Sequence, residues 1–231
     1  MRSITLFLIF ISMLCHETAA QVTYKMERQD GRYLCTGTLT GKYADTRENY
    51  GCAILWALDN AYQDKADKFL PKYDYAAYTL KVRGAIKSAN DNNLYTFTIQ
   101  MRGNNHSLEY LIDDIRCVPQ KGVFAAMKVI VFDKLNLEKK PQHKVYVDEF
   151  DSLCRNYLEN VAQNISDTKL SINHWDAIAK GNVVEGMNPN EVRLAKGTPS
   201  NVSENSQMVV WTFDSGTVVM FEKGIVTGVS N

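Results

Sequence analysis

Apolar positions along this chain recur with two periods, and each period predicts a different element. Between residues 94 and 101 they alternate, with Tyr95, Phe97, Ile99 and Met101 on one face and Thr96, Thr98 and Gln100 on the other. That is the two-residue repeat of a half-buried strand. Tyr75 to Ile86 alternates likewise through Tyr78, Leu80 and Val82, and Asn90-Asp91-Asn92-Asn93 between the two runs is a turn. Val22–Met26 and Tyr33–Leu39 read as strands about a turn at Asp30-Gly31, and Leu108–Val118 as a less regular strand after Gly103-Asn104-Asn105. A helical period appears in Phe150, Leu153, Cys154, Tyr157, Leu158, Val161 and Ile165, one stripe of a helix opening at Asp148. An earlier helix starts at Asp45 or Thr46 and carries Cys52, Ile54, Leu55, Trp56, Leu58 and Tyr62. Its apolar residues cover more than one face, so it is expected to pack deeply. Gly122–Leu137 fits strand and helix alike, and Pro141 ends it.

An apolar helix stripe needs an apolar surface to cover, and the preceding hairpins supply one. Residues 21–165 are therefore expected to form a two-layer α+β unit, an antiparallel sheet with helices on it. Residues 166–172 are polar, carry no core pattern and read as a linker. In the remainder, 173–231, Asn173 is expected to cap a short helix running to Lys180 and closed by Gly181. Asn188 as N-cap, Pro189 at the first helical position and Glu191 closing a capping box start another. Gly197 at the left-handed C′ position and Pro199 stop it. Met208–Phe213, Thr217–Phe221 and Ile225–Val229, with turns at Asp214-Ser215-Gly216 and Lys223-Gly224, make a three-stranded meander. Trp211 and Phe213 share one face and are expected in the core with Val192 and Met187, while Val210 and Thr212 share the other. The last strand is expected to leave an open edge that a partner's strand could join.

Residues 1–20 do not belong to this pattern. Arg2 is a short positive start, Ile4–Leu14 a compact apolar core, and Thr18-Ala19-Ala20 a small-residue cleavage site before Gln21. This reads as a signal peptide for export, because the apolar run is shorter than the roughly 20 residues a membrane span needs. Cys15 follows Met13-Leu14, not the small residue a lipoprotein signal wants. The sequence has 26 basic and 26 acidic side chains, and no basic stripe of the kind nucleic-acid modules carry. Beyond residue 20 stand Cys35, Cys52, Cys117 and Cys154. In an exported chain they permit two disulfides in three pairings, and as residues on apolar faces they serve equally as small buried hydrophobes. Both readings stay open.

Candidate chemistry is sparse. No Gly-x-Ser-x-Gly, His-Glu-x-x-His or phosphate-binding glycine loop occurs. Cys117 with His106 is the conceivable nucleophile pair, but Cys117 ends a strand and reads as structural. Asp113-Asp114 are paired carboxylates that read as a solvated strand end. Tyr73, Tyr75 and Tyr78 either line a carbohydrate or peptide groove or pack at a strand start. Asn105, Asn164 and Asn201 each begin an Asn-x-Ser triplet, in a chain rich enough in Asn for chance to supply them. No residue is assigned to catalysis, to a cofactor or to a metal, and an enzyme is not expected.

The C-terminal residues resemble a known family. Trp175-Asp176-Ala177-Ile178, Gly186-Met187, Glu191-Val192, Gly197-Thr198-Pro199, Trp211-Thr212-Phe213 and Phe221-Glu222-Lys223-Gly224 look, in that order, like the SmpA/OmlA (BamE-like) domain. Lys196 departs from it, standing where an apolar residue commonly precedes Gly-x-Pro, and the lipid-bearing cysteine of outer-membrane members is absent. Residues 21–165, through their element order and the Tyr95–Ile99 strand, more faintly resemble exported TBP-like domains of unknown function from Bacteroidetes-type bacteria. These resemblances imply a periplasmic or outer-membrane setting. Relatives with a known role hold other proteins, in outer-membrane barrel assembly or, in a related fold, in β-lactamase inhibition. The expectation is a non-enzymatic protein-binding or envelope-assembly module with a periplasmic or outer-membrane partner. The alternative is an exported enzyme or carbohydrate-binding component with a site between the domains.

Overall fold

The computed structural model describes residues 21–62, 71–89, 92–119, 129–205 and 208–230. The stretch read as a signal peptide, residues 1–20, and the part of the Gly122–Leu137 run up to residue 128 lie outside them. Two units of α+β class are seen, an N-terminal sheet with helices and a smaller C-terminal unit of helices and strands.

In the first unit, β1 (Lys25–Gln29), β2 (Arg32–Thr40), β3 (Lys72–Asp74), β4 (Thr79–Lys87), β5 (Leu94–Asn104) and β6 (Ser107–Val118) form an antiparallel sheet. Its order is β1-β2-β6-β5-β4-β3, with β7 (Ile130–Val131) beside the far end of β6. Helices α1 (Thr46–Asn60) and α2 (Lys144–Asp167) lie on one face. There Phe150 of α2 meets Tyr95, Phe97 and Phe132 at ring separations of 5.6–5.7 Å. The stripe predicted for α2 is this buried face. The helix begins at Lys144, one 3₁₀ turn after Pro141, and not at Asp148. It also runs through Ser166 and Asp167, so the first residues expected in a linker are its last turn.

The irregular pattern of β6 has a local cause. A bulge opposite Thr96–Thr98 inserts a residue, and Asp114 there takes φ of 50°. The apolar side therefore shifts from Leu108, Tyr110 and Ile112 to Ile115 and Cys117. Two strand predictions were too long at one end. Val22 makes an isolated bridge to Leu39 before β1 begins at Lys25, and residues 75–78 are a turn joining β3 to β4.

In the second unit, α3 (Trp175–Ala179) and α4 (Pro189–Lys196) precede β8 (Asn201–Glu204), β9 (Val209–Thr212), β10 (Val218–Glu222) and β11 (Ile225–Ser230). Their order, β11-β10-β9-β8, makes four strands where the sequence predicts three. The α4 capping box forms as read, with Asn188 accepting from the Glu191 N–H at 3.0 Å and Glu191 reaching back to the Asn188 N–H at 2.9 Å. Gly197 ends the helix at φ 85° and ψ −155°, a glycine region, though not the left-handed helical one expected. Asn173 does not cap α3. The Glu191 carboxylate takes the N–H groups of Asn173 and His174 instead, at 2.7 and 2.9 Å.

The units meet at α1. Residues 49–57 of this helix are all buried, the sheet and α2 covering part of it and α4 another part. Gly51 faces the connecting segment and α4 at close range, since a Cβ there would lie 2.7 Å from Leu170 Cδ2, 3.1 Å from Ile172 Cδ1 and 3.4 Å from Leu194 Cδ1. This dual covering explains an apolar pattern wider than one face.

Candidate functional site

The C-terminal sheet has two edges, and the fold treats them differently. On β11, the edge expected to be open, Gly186 donates to the Val226 carbonyl at 3.0 Å and Val226 donates to the Met187 carbonyl at 2.9 Å. The Gly-Met segment thus occupies the middle of that edge. Strand β8 is the free one, for among the described residues no strand lies beyond it and all four of its residues are exposed.

Register fixes which β8 groups face outward. Phe213 donates to the Thr217 carbonyl, so odd-numbered β9 residues bond to β10 and Val210 and Thr212 bond to β8. Their partners are Ser203 and Asn201, and the Asn205-to-Met208 bond closes the same ladder. The N–H and C=O of Val202 and Glu204 consequently point away from the sheet. Val202 is 53% exposed and stands opposite Trp211. Trp211 is half-buried, its ring 4.7 Å from that of Phe221, while Phe213 beside it is buried as expected. Val202 and Trp211 make an apolar shelf beside a row of outward backbone groups. The sequence pattern missed this strand because Asn201-Val-Ser-Glu204 holds a single apolar residue. The turn-forming Asn205, which accepts from the Met208 N–H, was the available signal.

A second feature lies where the units join. Tyr73, Tyr75 and Tyr78 come together with Trp175 and line an open groove of about 670 Å³ that also presents Asp74, Asp176 and Lys180. Trp175 lies 5.7 Å from Tyr78 and 5.8 Å from Tyr75, ring to ring, and both Tyr75 and Trp175 touch Tyr50 of α1 edge-on. Burial pushes the Tyr75 hydroxyl up to about 12, and that hydroxyl is committed to the Leu194 carbonyl at 2.5 Å. Tyr78 holds φ of 53°, with its carbonyl accepting from the Gly103 N–H at 2.9 Å. The tyrosines are thus both groove lining and inter-unit packing. Trp175, which opens the short helix α3, meets Tyr50, Tyr75 and Tyr78 ring to ring.

The remaining candidates separate. His106 sits in the turn before β6 and Cys117 near its far end, about 35 Å apart at the rise of an extended strand. Cys117 is fully buried beside Tyr95 and Glu149, and burial raises its thiol to about 11, the wrong direction for a nucleophile. Asp113 and Asp114 lie at the β6 bulge and not at a strand end. Burial lifts Asp114, but hydrogen bonds from Arg83 at 2.7 Å and Arg116 at 3.0 Å outweigh it and hold the carboxyl below its usual range. Asp113 is raised, chiefly by burial. Glu149 accepts from Ser88 at 2.5 Å, Asn93 at 3.1 Å and Tyr95, fastening α2 to the β4–β5 hairpin. Among the described residues, no three His, Cys, Asp or Glu side chains gather as metal ligands would, and no helix is long and apolar enough to cross a membrane.

No family model matches the chain, and no curated protein does. Among solved structures it is similar to a DUF4468 family protein from Bacteroides ovatus, at 13% identity and a TM-score of 0.47 over 64% of this chain and 94% of that one. It is also similar to a TBP-like protein from Parabacteroides distasonis, at 11% identity and a TM-score of 0.45 over 62% and 98%.

Proposed function

We propose that the chain is an exported, non-enzymatic adaptor of the cell envelope whose C-terminal unit, of SmpA/OmlA-like kind, holds a partner protein by strand addition at β8. The observation that carries this reading is the outward row of Val202 and Glu204 backbone groups beside the Val202–Trp211 shelf. Strand addition draws affinity from main-chain hydrogen bonds and specificity from alternate side chains, and this edge offers a surface for both. The N-terminal leader pattern of residues 1–20 supports export to a periplasmic or outer-membrane location. Cross-linking of the tagged chain in its own host, followed by mass spectrometry, tests the reading. Reproducible capture of one envelope protein through residues 199–212 supports it. A chain free in the soluble fraction with no such adduct contradicts it.

A second reading rests on the groove of Tyr73, Tyr78 and Trp175, where ring surfaces stand beside Asp74, Asp176 and Lys180. Rings with flanking polar groups suit a saccharide. Titration with oligosaccharides while following tryptophan fluorescence tests it, and a Trp175-dependent change would favour this site over the edge.

A further inference from the structure

The fold sets two of the four described cysteines against each other. Cys35 lies on β2 and Cys154 on α2, both with no exposed surface, and each thiol lies within the other's electrostatic reach. The Tyr24 hydroxyl lies 3.5 Å from Cys35 Sγ and donates to Asp151 Oδ1 at 2.9 Å, while the Arg155 guanidinium rests 4.2 Å from the centre of the Tyr24 ring. The other two thiols have different surroundings. Cys52 on α1 feels Lys42 and Glu48, and Cys117 faces Tyr95 and Glu149. Among the possible pairs of these four, the fold brings together Cys35 and Cys154.

We propose that Cys35 and Cys154 are a site of oxidative modification, closed to a disulfide by thiol–disulfide exchange with a small-molecule or protein disulfide. The order of events follows from the local chemistry. Cys154 holds the Cys35 thiol below its ordinary value against the effect of burial, with help from Tyr24 and Arg155 and opposition from Asp151. Cys154 is pushed up, first by Cys35 and then by burial. Cys35 is therefore the attacking thiolate. Its sulfur bonds to one sulfur of the incoming disulfide and the other leaves as a thiolate. That thiolate takes the Cys154 proton. Cys154 then displaces the second half of the oxidant from Cys35, leaving one protein disulfide and two reduced thiols of the oxidant. Both sulfurs are sealed in the finished core, so the exchange takes place as α2 docks on β2, once the two thiols meet and before the oxidant is shut out. The bond joins the sheet to its covering helix and restricts the unfolded chain over a long loop. This inference stands apart from the partner-binding reading.

The test is a thiol count. The chain is unfolded with reductant, refolded in graded mixtures of reduced and oxidised glutathione, denatured, alkylated and mapped by mass spectrometry. The expected result is loss of two thiols, with Cys35 linked to Cys154 and Cys52 and Cys117 alkylated. A C52A/C117A variant keeps the bond, C154A forms none within the chain, and the oxidised chain unfolds at higher urea than the reduced one. Collecting the chain from an oxidising secretory host and alkylating it on lysis gives the count without refolding. Four free thiols in natively folded chain from both routes, or a bond to Cys52 or Cys117, would overturn the proposal.

Discussion

The Tyr75 hydroxyl donates to the backbone carbonyl of Leu194 at 2.5 Å and so ties the turn after β3 to α4. A second strap, Arg193 to Asp59 at 2.5 Å, is more exposed and contributes little by comparison. Replacing Tyr75 with Phe keeps the ring against Trp175 and removes the bond, leaving a half-buried carbonyl without it. Stability should fall by about 1 kcal/mol in urea unfolding. Tyr75→Ala, which also removes the ring contacts with Tyr50 and Trp175, should cost about 3 kcal/mol.

The C-terminal unit covers part of α1, and its removal should therefore be felt in the N-terminal unit. A chain ending at residue 172 would expose apolar surface now under Leu194. It should bind a hydrophobic dye and aggregate, as read by fluorescence and light scattering. A soluble truncated chain with cooperative unfolding would show that the two units are independent.

Glu191 has no exposed surface and gathers the N–H groups of Asn173, His174 and Asn188 together with His174 Nδ1. Glu191→Gln turns one acceptor into a donor among donors. The loss should be about 3 kcal/mol, because hydrogen bonds to a charged group are the stronger kind and buried groups left unmatched are costly. Thermal unfolding followed by tryptophan fluorescence measures it, since Trp175 adjoins the affected loop.

The neighbouring acids Asp113 and Asp114 should respond oppositely to pH. Asp114 is depressed in the fold, so it contributes stability above the unfolded value of about 3.8 that is lost as pH falls through its folded value. Asp113 is raised, so its charged form weakens the fold at neutral pH and that weakening is relieved on acidification. Asp114→Asn should destabilise at pH 7 by about 1 kcal/mol, solvent screening limiting the effect, and by less at pH 2. Asp113→Asn should stabilise at pH 7 and do nothing at pH 2. Urea midpoints at the two pH values decide it.

What the sequence disclosed and what it hid have physical reasons. Helix α2, strand β5 and the α4 capping box were legible because each depends on local period or on residues three apart. The width of the apolar pattern on α1 announced deep burial, but only the fold shows that α4 supplies part of the cover. Strand β8 was invisible because it is held by backbone pairing to β9 and has almost no apolar signature. The β6 bulge blurred a strand whose residues otherwise alternate. Of the candidate residues, Tyr75 and Tyr78 gained their meaning from Trp175, a hundred residues away in sequence, and no local pattern carries such a meeting. Nor does any local pattern set Cys35 beside Cys154.

The β8 edge makes the sharpest demand on this account. The Val202 N–H points outward, so Val202→Pro removes a donor that the sheet does not use, and edge strands tolerate proline in that orientation. Stability should stay within about 0.5 kcal/mol. Ser203→Pro, which removes a bond to β9, should destabilise by about 2 kcal/mol. The decisive measurement places a photo-activated cross-linking residue at position 202 and, separately, at 225 on β11, in the chain produced in its own host. One discrete adduct is expected from position 202, lost when Ser203 is replaced by proline in the same chain, and none from 225. Adducts from 225 alone, or from neither position, would contradict strand addition at β8.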